Sequence, residues 1–417
     1  MTGLVPNWRS SQFVSSALFP TIHEPPIPAG ESPCRPTSVA VAIRSILLLL
    51  LAMGVQASTA QTPMRASSAG ADELLHAGVA AQRQGDNRSA IENFQKALTL
   101  QPKMVEALIG LGEALAATGR FDEAVEKDTR ALALAPDKTA LRMNLGMVYY
   151  KKGDLVHARE QFETVHAALP RDLPAAVMVG YVYIKLGREA EAADLLTPLE
   201  ASNENNMDLE YVLAFSLIQS GKETEGIPRM EKVAKATHRA DAYLIAGASL
   251  LQSGKMPGAR IDLDAAMQLN PSIPGLATMA GQARYAMGDT HGATLAFQTA
   301  LRQNPEDPIA NLDLGTIRLK ERDLETARPL LELALQLQPG LPLARLELAK
   351  LNETTGKYAD AAAILEDLVK AEPNYLDAHW ELATVYTELN RPEDGRRERM
   401  IAAQLRESQQ RDPPNRK

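Results

Sequence analysis

Small residues and prolines return every 34 positions along most of this chain, and that phase limits what it can fold into more than any other feature. Gly78, Gly112, Gly146 and Gly180 are 34 apart; Gly85, Gly119, Gly153, Gly187 and Gly221 keep the interval, as do Pro102, Pro136 and Pro170. Three series in one period describe one supersecondary unit stacked many times. Each unit of such an array contacts only its neighbours, so the 417 residues read as one elongated domain rather than two or three globular ones. Aromatic residues make up 5% of a chain that is 45% hydrophobic, which suits closely packed helices and argues against strands.

With Ala71 as position 1, the first unit reads Leu74, Ala77-Gly78, Ala81, Gly85, Ala90, Phe94, Ala97 and Pro102. The second, from Val105, reads Leu108, Leu111-Gly112, Leu115, Gly119, Ala124, Asp128, Ala131 and Pro136. Spacings of three and four among positions 4, 7, 8 and 11, and again among 20, 24 and 27, each draw one apolar stripe on a helix. Glycine at position 15 sits where the chain must reverse. Proline at position 32 closes the second helix. Glycine at 8 and alanine at 20 let the two helix backbones approach closely. Units begin at Ala71, Val105, Thr139, Leu173, Met207, Ala240, Pro274, Pro308, Pro342 and Leu376, which makes ten. The fifth, 207–239, is one residue short, and the fourth and fifth carry Glu204 and His238 in place of the position-32 proline. Neutral drift and a local change of curvature or a hinge both account for this irregular centre.

The layout resembles the tetratricopeptide repeat over residues 71–410. The resemblance implies an all-α, right-handed α-solenoid of about ten helix-turn-helix units. In the tenth unit Asn390 replaces the turn glycine and Arg399 occupies position 24, so its second helix reads as a polar cap, which an array needs at its end. Residues 411–417, with Pro413-Pro414, read as a disordered tail.

Ahead of the array, residues 1–38 are rich in Pro and Ser without a helical or strand period and read as disordered. Within 39–60, Arg44 precedes an apolar run from Ile46 to Val55 and then small residues, the order of a secretory signal peptide. Ten apolar residues are too few to span a hydrocarbon core that needs about 20; an uncleaved anchor is the weaker alternative. Residues 61–70 read as a linker. A signal this far from Met1 suggests that translation begins at Val39 or Val41. The single cysteine, Cys34, precedes the signal, so the mature chain has no disulfide and no lipid-bearing cysteine. The expected location is therefore the periplasm or the exterior of a bacterium, with no stable membrane span once the signal is removed.

No catalytic constellation is legible. The seven histidines, His23, His76, His157, His166, His238, His291 and His379, are scattered over the chain. There is no His-Glu-x-x-His, no Gly-x-Ser-x-Gly and no phosphate loop. Gly110-Leu111-Gly112 lacks the third glycine and the preceding strand of a dinucleotide fingerprint. No enzymatic activity, cofactor or metal is expected. The net charge of −8 gives no electrostatic reason to bind nucleic acid.

The resemblance implies that positions 2, 5, 9, 12 and 13 of each first helix line a concave groove. Family members that clamp a carboxylate tail carry Asn at position 9. Here that position holds Val79, Glu113, Met147, Tyr181, Phe215, Ala248, Gln282, Thr316, Lys350 and Thr384, so that clamp is not expected. The central units instead place Met143, Met147, Tyr150, Tyr181, Ile184, Tyr211, Phe215, Ile218, Leu244 and Leu251 at such positions, with Val177 beside them. Methionines and aromatics make adaptable, high-area contacts. Two readings stand: a groove for an apolar peptide or helix, and ordinary packing against adjacent helices. The functional expectation is a protein-binding scaffold of the cell envelope. A carrier or holdase for apolar segments of exported proteins and a polysaccharide-secretion accessory are the alternatives.

Overall fold

In a computed structural model, which describes residues 62–136 and 138–411, the chain is a helical-repeat solenoid; among the described residues there are twenty helices and no strand. The segment 1–38, the apolar run within 39–60, Cys34 and the tail beyond Arg411 lie outside the described residues.

The helices alternate as first and second members of each unit. The sequence begins with α1 (Thr62–Arg83) and α2 (Asn87–Leu100), then α3 (Val105–Ala117) and α4 (Phe121–Leu134), α5 (Thr139–Lys152) and α6 (Leu155–Ala168), and α7 (Leu173–Lys185) and α8 (Glu189–Glu200). Next come α9 (Met207–Gln219) and α10 (Glu223–Thr237), α11 (Ala240–Gln252) and α12 (Met256–Leu269), and α13 (Leu276–Ala286) and α14 (Thr290–Gln303). The last are α15 (Pro308–Lys320) and α16 (Leu324–Leu337), α17 (Pro342–Thr354) and α18 (Tyr358–Ala371), and α19 (Leu376–Glu388) and α20 (Pro392–Arg411).

Eight of the ten first helices start on the residue that the phase assigns. The first starts early: α1 runs back to Thr62, so most of the stretch expected to be a linker at 61–70 is helical. Residues 64–72 contain no glycine but Gly70 and no proline, and alanine, methionine and arginine propagate a helix readily. The seventh starts late. Gly275 takes φ 75° and sits as the N-cap, which delays α13 from Pro274 to Leu276.

The seam within each pair depends on position 8. A Cβ added to Gly78, Gly146 or Gly281 would meet the ring of Phe94, Phe162 or Phe297 at 2.5–2.6 Å, and one added to Gly180, Gly247 or Gly315 would meet Leu196, Leu263 or Leu331 at 2.8–2.9 Å. The position-24 side chain therefore lies on the bare backbone of the facing glycine, and close-packed interiors have no slack to absorb an added methyl group. These contacts assemble into local clusters that join consecutive pairs, such as Phe94, Leu111, Leu115, Ala124 and Val148, or Leu346, Leu365, Leu382 and Tyr386.

The second unit breaks this rule. Its position-24 residue is Asp128, which is 1% exposed, faces Gly112, and has no hydrogen-bond partner on either carboxyl oxygen among the described residues. Burial, reinforced by the charge of Glu113, pushes its carboxyl up to about 7.

The turns at position 15 are left-handed whatever residue occupies them. Gly153 has φ 85°, and Arg322 and Asn390, at the same position of their units, have φ 65° and 57°. An L side chain pays roughly 1–2 kcal/mol for that conformation, so the stacked helices impose it. The residue missing from the fifth unit is lost in one place. α10 runs one residue further than the 14-residue second helices of most units, and only His238 and Arg239 separate it from α11. His238, at φ 53°, makes the short reversal.

The described helices form two compact units, α1–α9 and α10–α20, divided between Ser220 and Gly221, whereas the phase runs on through the division. Within the second, α20 is tied down by His379, which is buried on α19. Its Nδ1 lies 2.6 Å from Glu398 Oε2 and its Nε2 3.0 Å from the Pro373 carbonyl oxygen. A second tie recurs in both units. Tyr183 donates its hydroxyl hydrogen to Glu163 at 2.9 Å and Tyr386 does so to Glu366 at 2.8 Å. Arg188 and Arg391 lie over the two rings, 4.5 and 4.2 Å from their centroids, a cation–π contact worth about 0.5–1 kcal/mol at partly exposed sites.

Two outcomes follow for stability. Gly146→Ala drives its new methyl group into the Phe162 ring and is expected to cost about 1–3 kcal/mol in urea denaturation, whereas Gly153→Ala strains only a turn and should cost less. Asp128→Leu removes an unpaired buried carboxyl and is expected to stabilise by about 1–3 kcal/mol at pH 8. Because the folded state raises this acid, the native chain holds more protons than the unfolded one between the ordinary aspartate range and about 7. The contribution of Asp128 to wild-type stability therefore falls as pH rises through that window and levels off above it. Asp128→Leu should show a shallower slope in denaturation midpoints measured from pH 4 to 8.

Candidate functional site: the rung face of the first helices

The ten residues expected to line an apolar groove divide by helix. Met143, Met147 and Tyr150 on α5 are half-buried. Tyr181 and Ile184 on α7, Tyr211, Phe215 and Ile218 on α9, and Leu244 and Leu251 on α11 are all at most 5% exposed. These seven are thus buried in this structure and do not form an exposed patch. The physical reason lies in their helices: the sequences LPAAVMVGYVYIK, MDLEYVLAFSLIQ and ADAYLIAGASLLQ are apolar around most of their circumference, and a helix of that kind is buried on every side. The first eight of the ten lie in the first compact unit, and Leu244 and Leu251 lie in the second.

What the first helices do present is a polar ladder with a step of 31 residues. In the first unit Gln82 donates Nε2–H to Glu113 Oε2 at 2.9 Å, and Asn144 donates Nδ2–H to Glu113 Oε1 at 3.0 Å. In the second, Gln282 donates Nε2–H to Asp313 Oδ2 at 3.0 Å. The step arises because positions 12 or 9 of one first helix stand beside 9 or 6 of the next, three residues short of the 34-residue period. Each such rung pairs an amide with a carboxylate across consecutive repeats, which fixes their register as well as their polarity. Thr278 to Asp307 at 2.6 Å and Lys320 to the Tyr285 hydroxyl at 2.6 Å add further links in the second unit.

Counting the same step of 31 along the second unit pairs Thr316 with Glu347 and Lys350 with Glu381. Neither rung closes as the others do. Thr316 Oγ1 is buried without a hydrogen-bond partner, and Lys350 turns back along its own helix to Glu347 at 2.9 Å. Glu381 is left against the carboxyl of Glu353. Burial, then that neighbouring carboxyl, pushes Glu381 up to about 8, with Lys350 opposing the shift. Asp313 is pushed up to about 7 by burial, opposed by the hydrogen bond from Gln282. The polar rungs were not among the residues expected to form a site; complementary polar pairs at i, i+31 are the signal that finds them.

Among the described residues no cluster of three or more His, Cys, Asp or Glu side chains could hold a metal ion, and no helix is long and apolar enough to cross a membrane. The glycines Gly110 and Gly112 pack on Phe94 and Asp128.

Comparison with known proteins agrees with this architecture. Models of the tetratricopeptide repeat match residues 75–139, 278–342 and 354–413. The unmatched stretch between the first two includes the all-round apolar helices α7, α9 and α11. No curated protein matches the chain. Among solved structures, a tetratricopeptide repeat protein from Parabacteroides merdae is 20% identical, over 59% of this chain and 98% of that one, with a TM-score of 0.47. Yeast Tom70 is 17% identical over 80% and 92%, at 0.36. The Cut9-Hcn1 hetero-tetramer of the APC/C is 15% identical over 80% and 87%, at 0.42. The helix pairs over residues 75–139, 278–342 and 354–413 thus match the tetratricopeptide repeat, and the chain is similar to that family.

Proposed function

We propose that this chain is a protein-binding scaffold of the bacterial cell envelope, exported by the apolar segment within 39–60 and recognising its partner on the first-helix face. The observation that carries the reading is the ladder itself: the same positions of consecutive first helices present side chains at a fixed step, an extended surface of the kind through which helical-repeat arrays bind. Tetratricopeptide repeats are typically non-enzymatic scaffolds that bind protein partners. Export accounts for the order of Arg44, apolar run and small residues. A carrier for apolar segments would need Tyr181, Tyr211 and Phe215 accessible, and in this structure they are buried, which favours the scaffold over the holdase.

The full chain with a C-terminal tag, expressed in a Gram-negative host and cross-linked in intact cells, tests both halves of the proposal. The expected result is a periplasmic protein whose N-terminus begins near Ala57 to Gln61, cross-linked to one or a few envelope proteins at residues of the rung face. A cytoplasmic protein that retains Met1 would refute the export half. Recovery of the periplasmic protein without any specific cross-linked partner would refute the scaffold half.

A further inference from the structure

At α19 the array of first helices stops, and the side of that helix which earlier repeats cover is left open. Position 5 carries Leu244 on α11, Thr278 on α13, Leu312 on α15 and Leu346 on α17, exposed by only 1, 5, 3 and 1%. Their cover includes the following first helix. From α11 to α19 each first helix touches the next; Leu346 shares a cluster with Ala378 and Leu382 of α19, and Leu312 shares one with Ala344 and Leu351 of α17. At the same position α19 presents Trp380, which keeps 41% of its surface exposed. Asp377, Thr384 and Thr387, at positions 2, 9 and 12, are exposed with it, and steps of three and four put all four residues on one side of the helix.

The two ends of that side differ in charge. Asp377 stands at one end. At the other is Arg399 of α20, which occupies position 24 but does not sit in the seam as the phenylalanines and leucines of other units do: it is exposed and donates Nη2–H to Thr387 Oγ1 at 3.2 Å. Neither charge has an oppositely charged partner among the described residues.

We propose that this side of α19 is an isologous interface, on which a second copy of the chain packs its own α19 antiparallel about a two-fold axis. The face is complementary to itself. An axis midway between Trp380 and Thr384 sets each indole on the partner's Thr384, a large side chain against a small one, and brings Asp377 opposite the partner's Thr387, where the guanidinium of Arg399 lies. Each contact is made twice, as a two-fold interface requires, and each carboxylate gains a charge-assisted hydrogen bond. First helix on first helix is also the cover that the earlier repeats use. An unrelated helix has no reason to present an acid and a hollow at that spacing, whereas a second α19 presents both. One pair of short helices at its centre makes a small interface, so the dimer is expected to dissociate at roughly micromolar concentrations. The inference goes beyond the scaffold reading and does not rest on it; a monomer leaves that reading intact.

The full chain carrying Trp8→Phe retains Trp380 as its single tryptophan, so its emission reports this face alone. Sedimentation velocity across roughly 1–100 μM is expected to show a monomer–dimer equilibrium, with Trp380 emission moving to shorter wavelength as the dimer fills. Trp380→Asp should weaken association at least about tenfold while leaving circular dichroism unchanged, because the side chain is exposed in the monomer. Asp377→Arg and Arg399→Asp should each weaken it severalfold, and the double variant, which restores the pairs with their signs exchanged, should recover most of the loss. A chain that stays monomeric at roughly 100 μM overturns the assignment, as does a dimer indifferent to Trp380→Asp. Charge variants that weaken the dimer singly and are not rescued in combination overturn the two-fold pairing. Should a variant fail to fold, dilution of the Trp8→Phe chain decides, and an emission maximum independent of concentration overturns the interface. A different protein bound over Trp380 of a monomeric chain overturns the second copy as its occupant.

Discussion

Everything in this fold rests on a side chain seated on bare backbone. Where position 8 is glycine, the position-24 phenylalanine or leucine of the second helix occupies the space that a Cβ would fill, 2.5–2.9 Å from it. That contact sets the distance between the two helices of a pair, and the distance in turn decides which residues of the next pair reach the seam. The core is accordingly a chain of small clusters rather than one centre, and its stability is a sum of neighbour terms. Asp128 shows why the seat suits an apolar side chain: its carboxyl lies against Gly112 in the same place, finds no hydrogen-bond partner among the described residues, and is pushed up to about 7 by burial.

The parts of the fold that local chemistry dictates were legible in the amino-acid order. Eight first helices start on the residue given by the glycine, alanine and proline phase, because those residues act where they stand: at a reversal, a close approach or a helix end. Asn390 and Arg322 follow the same phase without the glycine, since the stacked helices hold the turn left-handed even for them. The start of α1 was missed because a phase marks repeats and says nothing about a helix that continues past one.

Function was less legible, for a different reason. Inward positions identify which residues face along the array, but a family pattern does not say how deep each is buried. Tyr181 and Phe215, for which both a groove and ordinary packing were open, are 1% and 3% exposed. Their helices are apolar on nearly all faces, which is the signal that separates a buried helix from one that lines a surface. The polar ladder was missed because its step is 31 residues, not 34, and it becomes visible only when first helices are placed side by side. That difference also explains the odd pairing at Glu353 and Glu381: the period was kept while the residue that would close the rung was spent on Glu347.

The two-residue connection at His238 and Arg239 has a consequence for how such a chain changes over generations. A residue lost from a globular core shifts every contact downstream of it, whereas here α10 gains one residue, the connection contracts, and α11 resumes on the phase at Ala240. The left-handed His238 works as a splice that confines an editing error to one joint. Repeats on either side can therefore be lengthened, shortened or exchanged without retuning the others, and recognition can be rewritten one rung at a time.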